Sequence, residues 1–341
     1  MHEVNSGWSN VRADAPAAVI DYPHGITAID SGYVRPHLDA IHLIIENAHA
    51  AVVDSGTNDS IPFVLETLAS KGLGPDAIDF VFLTHVHLDH AGGAGLLMQK
   101  APNARLVVHP RGIRHMVDPS KLMAATRDVY GVEAARAMYG DIVPVPKERV
   151  IEATDGHTVE LAGRTFTFYD TPGHARHHNC IHDGASGHLF TGDMFGLSYR
   201  ELDRDGRQFI FPATTPSQFD PDAFHASIDR MTALKPEALY LTHYGKVGDV
   251  PRLAKDLLRL VDAHAEVARR CATIADRSAR VAALKGGVRD IALAEAQRQP
   301  WGVDAAGALE VLVMDIELNA DGLESWIASG GTSAPPLTAT R

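Results

Sequence analysis

The segment Thr84–His90, with the sequence THVHLDH, constrains this chain more than any other. It holds three histidines and an aspartate directly after AIDFVFL, an apolar run that predicts a buried strand. Buried neutral imidazoles need hydrogen-bond partners, and protonated imidazoles repel one another. A bound metal ion resolves both problems, because imidazole nitrogen and carboxylate oxygen are ligands that suit zinc, manganese or iron.

Three further candidate ligands follow other predicted strands. His174 comes after a strand and a Pro-Gly turn in FYDTPGH, Asp193 follows a strand and a glycine in HLFTGD, and His243 ends LYLTH. The carboxyl end of a strand delivers its loop to the edge of the sheet, where ligands commonly bind. The recurrence of a ligand-type residue at strand ends is therefore the strongest functional signal in the sequence.

The hydrophobic periodicity predicts β-rich and α/β sections in alternation, followed by a helical section. In the first half of the chain we expect strands within 26–55 with a turn near Glu46–Asn47, then a helix capped by Asp59 and ended by Gly72. A helical insert at about 111–138 is expected to break near Pro119, with Ser120 as a cap.

Short strands are expected over 149–192 and an irregular segment over 196–216. A helix from Ser217 to Leu234 follows, and further helices extend from Val250 to about Ala328 with a break at QPWG.

The segments THVHLDHAGG, TPGH, TGD and LTHYG resemble the ordered motif set of the metallo-β-lactamase fold superfamily, over roughly residues 26–247. The resemblance implies an α/β fold, the four-layer αββα sandwich, here with a C-terminal helical extension. It also implies two divalent metal ions and seven ligands: His85, His87 and His174 for the first ion, Asp89, His90 and His243 for the second, and Asp193 bridging the two.

The resemblance extends to residues beside the ligands. Asp54 in AVVDSG matches the first family motif and is expected to orient the ligand loop without touching metal. His178 matches the second histidine of the pattern TPGHxxGH and is expected to support the ligands, while the usual glycine just before it is His177 here. Related lactonases carry a tyrosine closer to the bridging aspartate than Tyr199, so Tyr199 is only a weak candidate for contact with substrate.

The function implied by the resemblance is that of a binuclear metal-dependent hydrolase of the glyoxalase II-like or lactonase-like branch. A hydroxide bridging two ions, most readily Zn²⁺ with iron or manganese as alternatives, would cleave an ester, thioester or lactone of a small molecule. Asp193 and Asp89 would be catalytic, Asp89 by handling a proton beside the second ion. Two alternatives stay open: a di-iron redox protein of the same fold, although flavodiiron proteins typically have Glu in place of His87, and a metal-binding regulator without enzymatic activity.

Composition excludes other classes of function. The formal net charge of −12 repels phosphate backbones, so a nucleic-acid partner is not expected. No stretch of about 18 apolar residues predicts a membrane span, and residues 1–16 lack the pattern of a secretory signal. We therefore expect a cytoplasmic protein, with Cys180 in a strand and Cys271 in a helix as unpaired, buried side chains.

The predicted organisation is a catalytic domain over 1–249, a C-terminal helical extension over 250–329 and a flexible tail over 330–341. Three roles stay open for the extension: covering the site, pairing two subunits into a homodimer, or capping the sheet.

Overall fold

The computed structural model describes residues 18–214 and 218–333. The segment 1–16, interpreted above as lacking a secretory signal, and residues 334–341 of the predicted tail lie outside the described residues. The chain divides into two compact units. The first comprises the described residues up to Asp170 together with His177–Asp193 and Lys235–Gly248; the second comprises Thr171–Arg176, the described part of Met194–Leu234 and the described residues from Asp249 onward. The domain boundaries given above stay predictions.

Two mixed sheets dominate the first unit. Their strands are β1 (Val19–Tyr22), β2 (Ile26–Asp30), β3 (Ala40–Glu46), β4 (His49–Val53), β5 (Ile78–Phe82), β6 (Arg105–Val108), β7 (Val150–Glu152), β8 (Thr158–Leu161), β9 (Arg164–Asp170), β10 (Asn179–Asp183), β11 (His188–Gly192), β12 (Leu239–Leu241) and β13 (Gly245–Val247). The helices are α1 (Ile61–Ser70), α2 (Leu88–Ala91), α3 (Ala94–Lys100), α4 (Pro110–Val117), α5 (Ser120–Tyr130) and α6 (Val132–Tyr139) in the first unit, and α7 (Pro221–Ala233), α8 (Val250–Cys271), α9 (Arg277–Arg298), α10 (Ala305–Val311) and α11 (Val313–Ala328) in the second.

The seven-stranded sheet runs in the order β1 to β7. Strands β1–β4 pair antiparallel as a meander, whereas β4, β5, β6 and β7 pair in parallel. Helical crossovers join the parallel strands, because parallel neighbours require a long connection. The carboxyl ends of β4, β5 and β6 therefore meet at one edge, which brings out Asp54, Thr84–His90 and His109 together.

The six-stranded sheet has the order β13-β12-β11-β10-β9-β8. Strands β11 and β12 are parallel, so Asp193 and His243, which follow them, emerge at the same edge. Strand β10 runs antiparallel to β11, so the start of β10 lies at that edge too, directly after His177 and His178. The strand directions thus collect the predicted site residues of this sheet.

Apolar packing forms two cores in the first unit. Between the two sheets, large aromatic side chains interdigitate, including Phe82, Phe166, Phe168 and Phe190. On the other face of the seven-stranded sheet, aliphatic residues of the strands pack against α1, α3 and α4. Burial of both faces explains why β4, β5 and β6 are almost continuously apolar instead of alternating.

The second unit is helical. Helix α8 buries Leu253, Leu257, Leu260 and Val261, a spacing that forms one apolar stripe. Polar contacts join its other elements. Asn319 on α11 accepts from Thr214 N at 2.7 Å and donates to Pro212 O at 2.9 Å. These bonds fasten the irregular segment before α7 to the last helix.

Several predicted elements differ from the observed ones. The insert predicted over 111–138 forms three helices instead of two, because Gly131 takes a left-handed φ of +83° and ends α5 as well as preceding α6. Ser120 is the first residue of α5 and not its cap. Helix α1 starts at Ile61, two residues after the predicted cap Asp59. Helix α7 is capped by Asp220, whose side chain accepts a hydrogen bond from Ala223 N. The predicted start of α7, Ser217, lies outside the described residues.

Other expectations are confirmed. The strands predicted within 26–55 are present with their turn after Glu46, and QPWG separates α9 from α10. Cys180 and Cys271 are both buried, and no disulfide joins them. Within the described ranges, no helix combines the length and apolarity needed to cross a membrane.

One buried arginine, Arg164, links the two sheets. Arg164 at the start of β9 bonds both carboxylate oxygens of Asp183 at the end of β10, at 2.9 and 2.5 Å. The same guanidinium donates to His24 O at 2.6 Å and lies 3.5 Å from Glu46, both on the seven-stranded sheet. Burial raises the pKa of Asp183, but the bonds from Arg164 outweigh it and hold that pKa below its usual value.

We predict that Asp183→Asn lowers the free energy of unfolding by about 3–5 kcal/mol, because it leaves a buried guanidinium without its counter-charge. Since the pKa of Asp183 is lowered in the folded state, its contribution is complete above the unfolded pKa of about 3.9 and is lost as the pH falls through the folded value. The difference in unfolding free energy from wild type should therefore shrink in acid.

Urea titrations at neutral and acid pH measure this difference. The control is Asp21→Asn, which breaks the exposed pair with Lys71 and should lower the free energy of unfolding by at most about 1 kcal/mol. Equal losses for the two variants would contradict the prediction.

Candidate metal centre

The carboxylate of Asp54 joins the strand ends at the edge of the two sheets. Asp54 is buried, has a φ of +56° and directly follows β4. It accepts hydrogen bonds from the backbone N–H of Thr84 at 2.9 Å and from the hydroxyls of Thr84 and Thr242. It also lies 2.9 Å from Nδ1 of His90. Asp54 thus holds the ends of β5 and β12 and the first turn of the ligand loop in one arrangement.

His90 is fully buried in α2, and its two ring nitrogens face different groups. Because Nδ1 bonds to Asp54, Nε2 points to the opposite side. It lies 3.2 Å from Oδ1 of Asp193 and 3.6 Å from Oδ2 of Asp89. Nε2 makes no hydrogen bond within the described part of the chain. A buried imidazole nitrogen facing two carboxylates is a geometry that a cation would satisfy.

His243 repeats this arrangement with a residue that the sequence interpretation missed. Its Nδ1 lies 2.7 Å from Oδ1 of Asp39, and its Nε2 lies 3.4 Å from Oδ1 of Asp193 and 3.9 Å from Oδ2 of Asp89. Asp39 is almost completely buried, and the neighbouring Ala40 N donates to Thr242 O at 2.7 Å. The only local signal for Asp39 is a charged residue directly before a buried strand.

His85 and His87 form the other side of the cluster. Nε2 of His85 lies 2.8 Å from Nδ1 of His87, and Nδ1 of His85 lies 3.2 Å from the hydroxyl of Thr84. The ring of His178 stacks on that of His85 with centroids 5.0 Å apart. Gly192 allows this packing, because it has a φ of +47° and a Cβ there would lie 2.7 Å from Nε2 of His178. His178 therefore packs behind a predicted ligand.

The donor atoms of the first unit fall into two sets. His85, His90 and Asp193 form one set and Asp89, His90 and His243 form the other, and within each set the ligand atoms lie within 4.8 Å of one another. The structure thus brings together the predicted ligands of both ions from the first unit and places His90 in both sets. The assignment of each ligand to one ion stays a prediction.

His174 belongs to the second unit. Its Nδ1 lies 2.9 Å from Ala213 O, and its backbone N–H contacts the sulfur of Met194 at 3.2 Å. His174, His90 and His243 are therefore alike in that an oxygen acceptor holds Nδ1. Metal-binding histidines use one ring nitrogen as the ligand and bond the other to a carboxylate or carbonyl. The role of His174 as a ligand stays a prediction.

The electrostatics of the first unit favour positive charge at the site. Burial lowers the pKa of His90, but the carboxylates of Asp193, Asp89 and Asp54 outweigh it and raise that pKa well above its usual value. The pKa of His243 is raised likewise by Asp193 and Asp39 against the effect of burial. Burial raises the pKa of Asp39 to about 6, although His243 opposes this shift. The carboxylates thus favour a positive charge between them, as expected for a cation site.

Tyr199 lies in the second unit. Its ring is fully buried within the second unit, and its hydroxyl donates to Asp315 on α11 at 3.0 Å. That carboxylate lies 116 residues further along the chain, and the contact of Tyr199 with substrate stays a prediction.

Comparisons with known proteins agree with this geometry. The family model of the metallo-beta-lactamase superfamily matches residues 40–243. A metallo-beta-lactamase fold-containing protein of Sulfurisphaera tokodaii is 25% identical over 69% of this chain and 83% of its own length. A hydroxyacylglutathione hydrolase of a Synechococcus species is 34% identical, but the match spans only 57% of each chain.

Solved structures share the fold. The crystal structure of an archaeal metallo-beta-lactamase superfamily protein from Sulfolobus tokodaii has a TM-score of 0.61 at 22% identity and covers 89% of this chain and 99% of that one. Together with the two mixed sheets, these matches confirm the predicted fold class, an αββα metallo-β-lactamase sandwich with a C-terminal helical region.

We predict that Asp39→Ala lowers the affinity of the protein for divalent metal by about 10–100-fold, because His243 loses the carboxylate that orients its ring. Asp39→Asn should restore part of the affinity, since its amide oxygen still accepts from Nδ1. Competition with a chromogenic zinc chelator measures the affinity, with the exposed Asp205→Asn as a control. Affinity unchanged in Asp39→Ala would contradict the orienting role of Asp39.

Proposed function

The chain belongs to the metallo-β-lactamase superfamily, and on this premise we propose that it is a binuclear metal-dependent hydrolase of small-molecule esters, thioesters or lactones. One observation carries the proposal: histidine and aspartate side chains that follow three strands, β5, β11 and β12, converge, and His90 belongs to both candidate ligand sets. Catalysis by two metal ions needs two sets of ligand atoms that lie next to each other. The similarity to hydroxyacylglutathione hydrolases makes a thioester the first substrate class to test.

The donor set fits divalent transition metals. Imidazole nitrogens and carboxylate oxygens suit zinc, iron and manganese, whereas calcium and magnesium prefer oxygen ligands alone. We propose two Zn²⁺ ions, with iron or manganese as alternatives. Two ions, when bound, would provide hydroxide near neutral pH and stabilise negative charge that develops on a substrate oxygen.

The residues of the chain would prepare the site for this chemistry. Asp54 and Asp39 fix the rings of His90 and His243 through Nδ1, so that both Nε2 atoms face the same space. Preorganised ligands need no rearrangement during the reaction. Asp89 is the partly exposed carboxylate of the cluster, with 21% of its side chain accessible. We assign its Oδ2 to holding a proton where the site opens to solvent.

Two other functions remain as alternatives. A di-iron redox protein would use the same fold, but it would contain iron and would consume oxygen. A regulator without enzymatic activity would bind metal and show no turnover. Metal analysis combined with an acyl-bond hydrolysis panel separates these three cases.

We predict that purified protein contains close to two metal ions per chain and hydrolyses at least one member of a panel of thioesters, esters and lactones. Asp193→Ala and His87→Ala should lower turnover by more than about 100-fold, because each removes a donor from the centre, and should lower the metal content. Elemental analysis and the panel measure both quantities in the same preparations.

The control is His49→Ala, which removes an exposed histidine paired with Asp79 and should leave turnover and metal content unchanged. Full activity after removal of metal would exclude a metal-dependent mechanism. Oxygen consumption by an iron-loaded protein that hydrolyses nothing would instead favour the redox alternative.

A further inference from the structure

We propose that helix α4 forms a basic wall, defined as Arg111, Arg114 and His115, that recognises an anionic oxyacid group, a carboxylate or a phosphate, on the ligand of the metal centre. Where the ligand is the substrate, this proposal rests on the proposed hydrolase function. It adds a charge requirement that neither the ligand set nor the fold specifies.

The first argument is the close approach of α4 to the metal-binding segment. The helix starts directly after β6 and lies against the loop that follows β5. A Cβ at Gly112 would lie 2.8 Å from Cγ1 of Val86, the residue between His85 and His87, and 2.9 Å from Cγ2 of Val108. Only a glycine at position 112 permits this close approach. Gly112 therefore allows α4 to pack against the segment that carries the predicted ligands.

The second argument is the orientation of the helix. Gly112 and the buried Met116 face inward, and at 100° per residue His115 and Arg111 share one adjoining flank. Arg114 starts from the outward side of the helix, and its side chain turns back to contact His115. The ring of His115 lies 6.3 Å from that of His177. The flank that carries His115 and Arg111 therefore lies on the side of His177.

His177 completes the connection. It occupies the position where the resemblance predicts a glycine, and it is 7% exposed. Its ring lies 5.6 Å from that of His87 and 6.2 Å from that of His85, nearly parallel to the latter. A line of imidazoles thus runs from the predicted ligands through His177 to the basic wall. The proposed ligand would extend from the centre along this line toward Arg111 and Arg114.

The charge distribution supports an anionic ligand. Helix α4 contains no acidic residue, although the chain as a whole has a net charge of −12. Arg114 Nε donates to Nε2 of His115 at 3.2 Å. Burial lowers the pKa of His115, and the charges of Arg114 and Lys121 lower it further, as expected where positive potential prevails. Guanidinium groups match carboxylate and phosphate geometry through paired N–H donors.

The experiment compares two ligands of equal length that differ in one carboxylate, glutarate and pentanoate, by calorimetric titration of the metal-loaded full chain. We expect wild type to bind glutarate about tenfold more tightly than pentanoate, because the second carboxylate meets the basic wall. The double variant Arg111→Gln with Arg114→Gln should lose this preference while its affinity for pentanoate stays the same. Arg105→Gln is the matched control, since Arg105 is an exposed arginine at the opposite end of β6 and should keep the preference.

The outcomes are distinct. Equal binding of the two ligands by wild type, or a preference retained in the double variant at unchanged metal content, would overturn the proposal. Tighter binding of 4-phosphonobutanoate than of glutarate, lost in the same variant, would assign phosphate as the recognised group. Hydrolysis is read separately: an arginine-dependent preference for glutarate without turnover of any acyl substrate would support the basic wall and reject the hydrolase.

Discussion

The carboxylate of Asp54 is the point on which the candidate site depends. It is buried where three strands end, and it binds the backbone and hydroxyl of Thr84, the hydroxyl of Thr242 and the ring of His90. A buried carboxylate is costly unless hydrogen bonds satisfy its oxygens. Because its partners come from both sheets, the same bonds that satisfy Asp54 also fix the position of the ligand loop relative to β12.

Two other predicted ligands, His243 and His174, follow the same principle, in which an oxygen acceptor bonds Nδ1 of the imidazole. Asp39 holds His243 and Ala213 O holds His174, as Asp54 holds His90. This arrangement concentrates carboxylates around Nε2 atoms and raises the pKa values of His90 and His243. The cluster is therefore most favourable when positive charge occupies it.

Residues outside the predicted ligand set distinguish this chain from other members of the superfamily. Helix α4, which contains no acidic residue, lies against the segment that carries the predicted ligands, and His177 contacts His87. Specificity commonly lies in such appendages on a shared fold. The buried pair of Arg164 and Asp183, by contrast, serves the scaffold, because it ties the sheets together away from the ligands.

The sequence by itself determined the strands that carry the ligands and the ligand types at their ends, including His85–His90, Asp193 and His243, because apolar runs followed by polar residues are local patterns. It also predicted the position of Asp54 through its motif. Only the tertiary structure decided that Asp39 meets His243 and that Tyr199 meets Asp315, pairs separated by 204 and 116 residues. Such contacts leave no periodic signal in the sequence, since they depend on which strand ends and helices the packing of the core brings together.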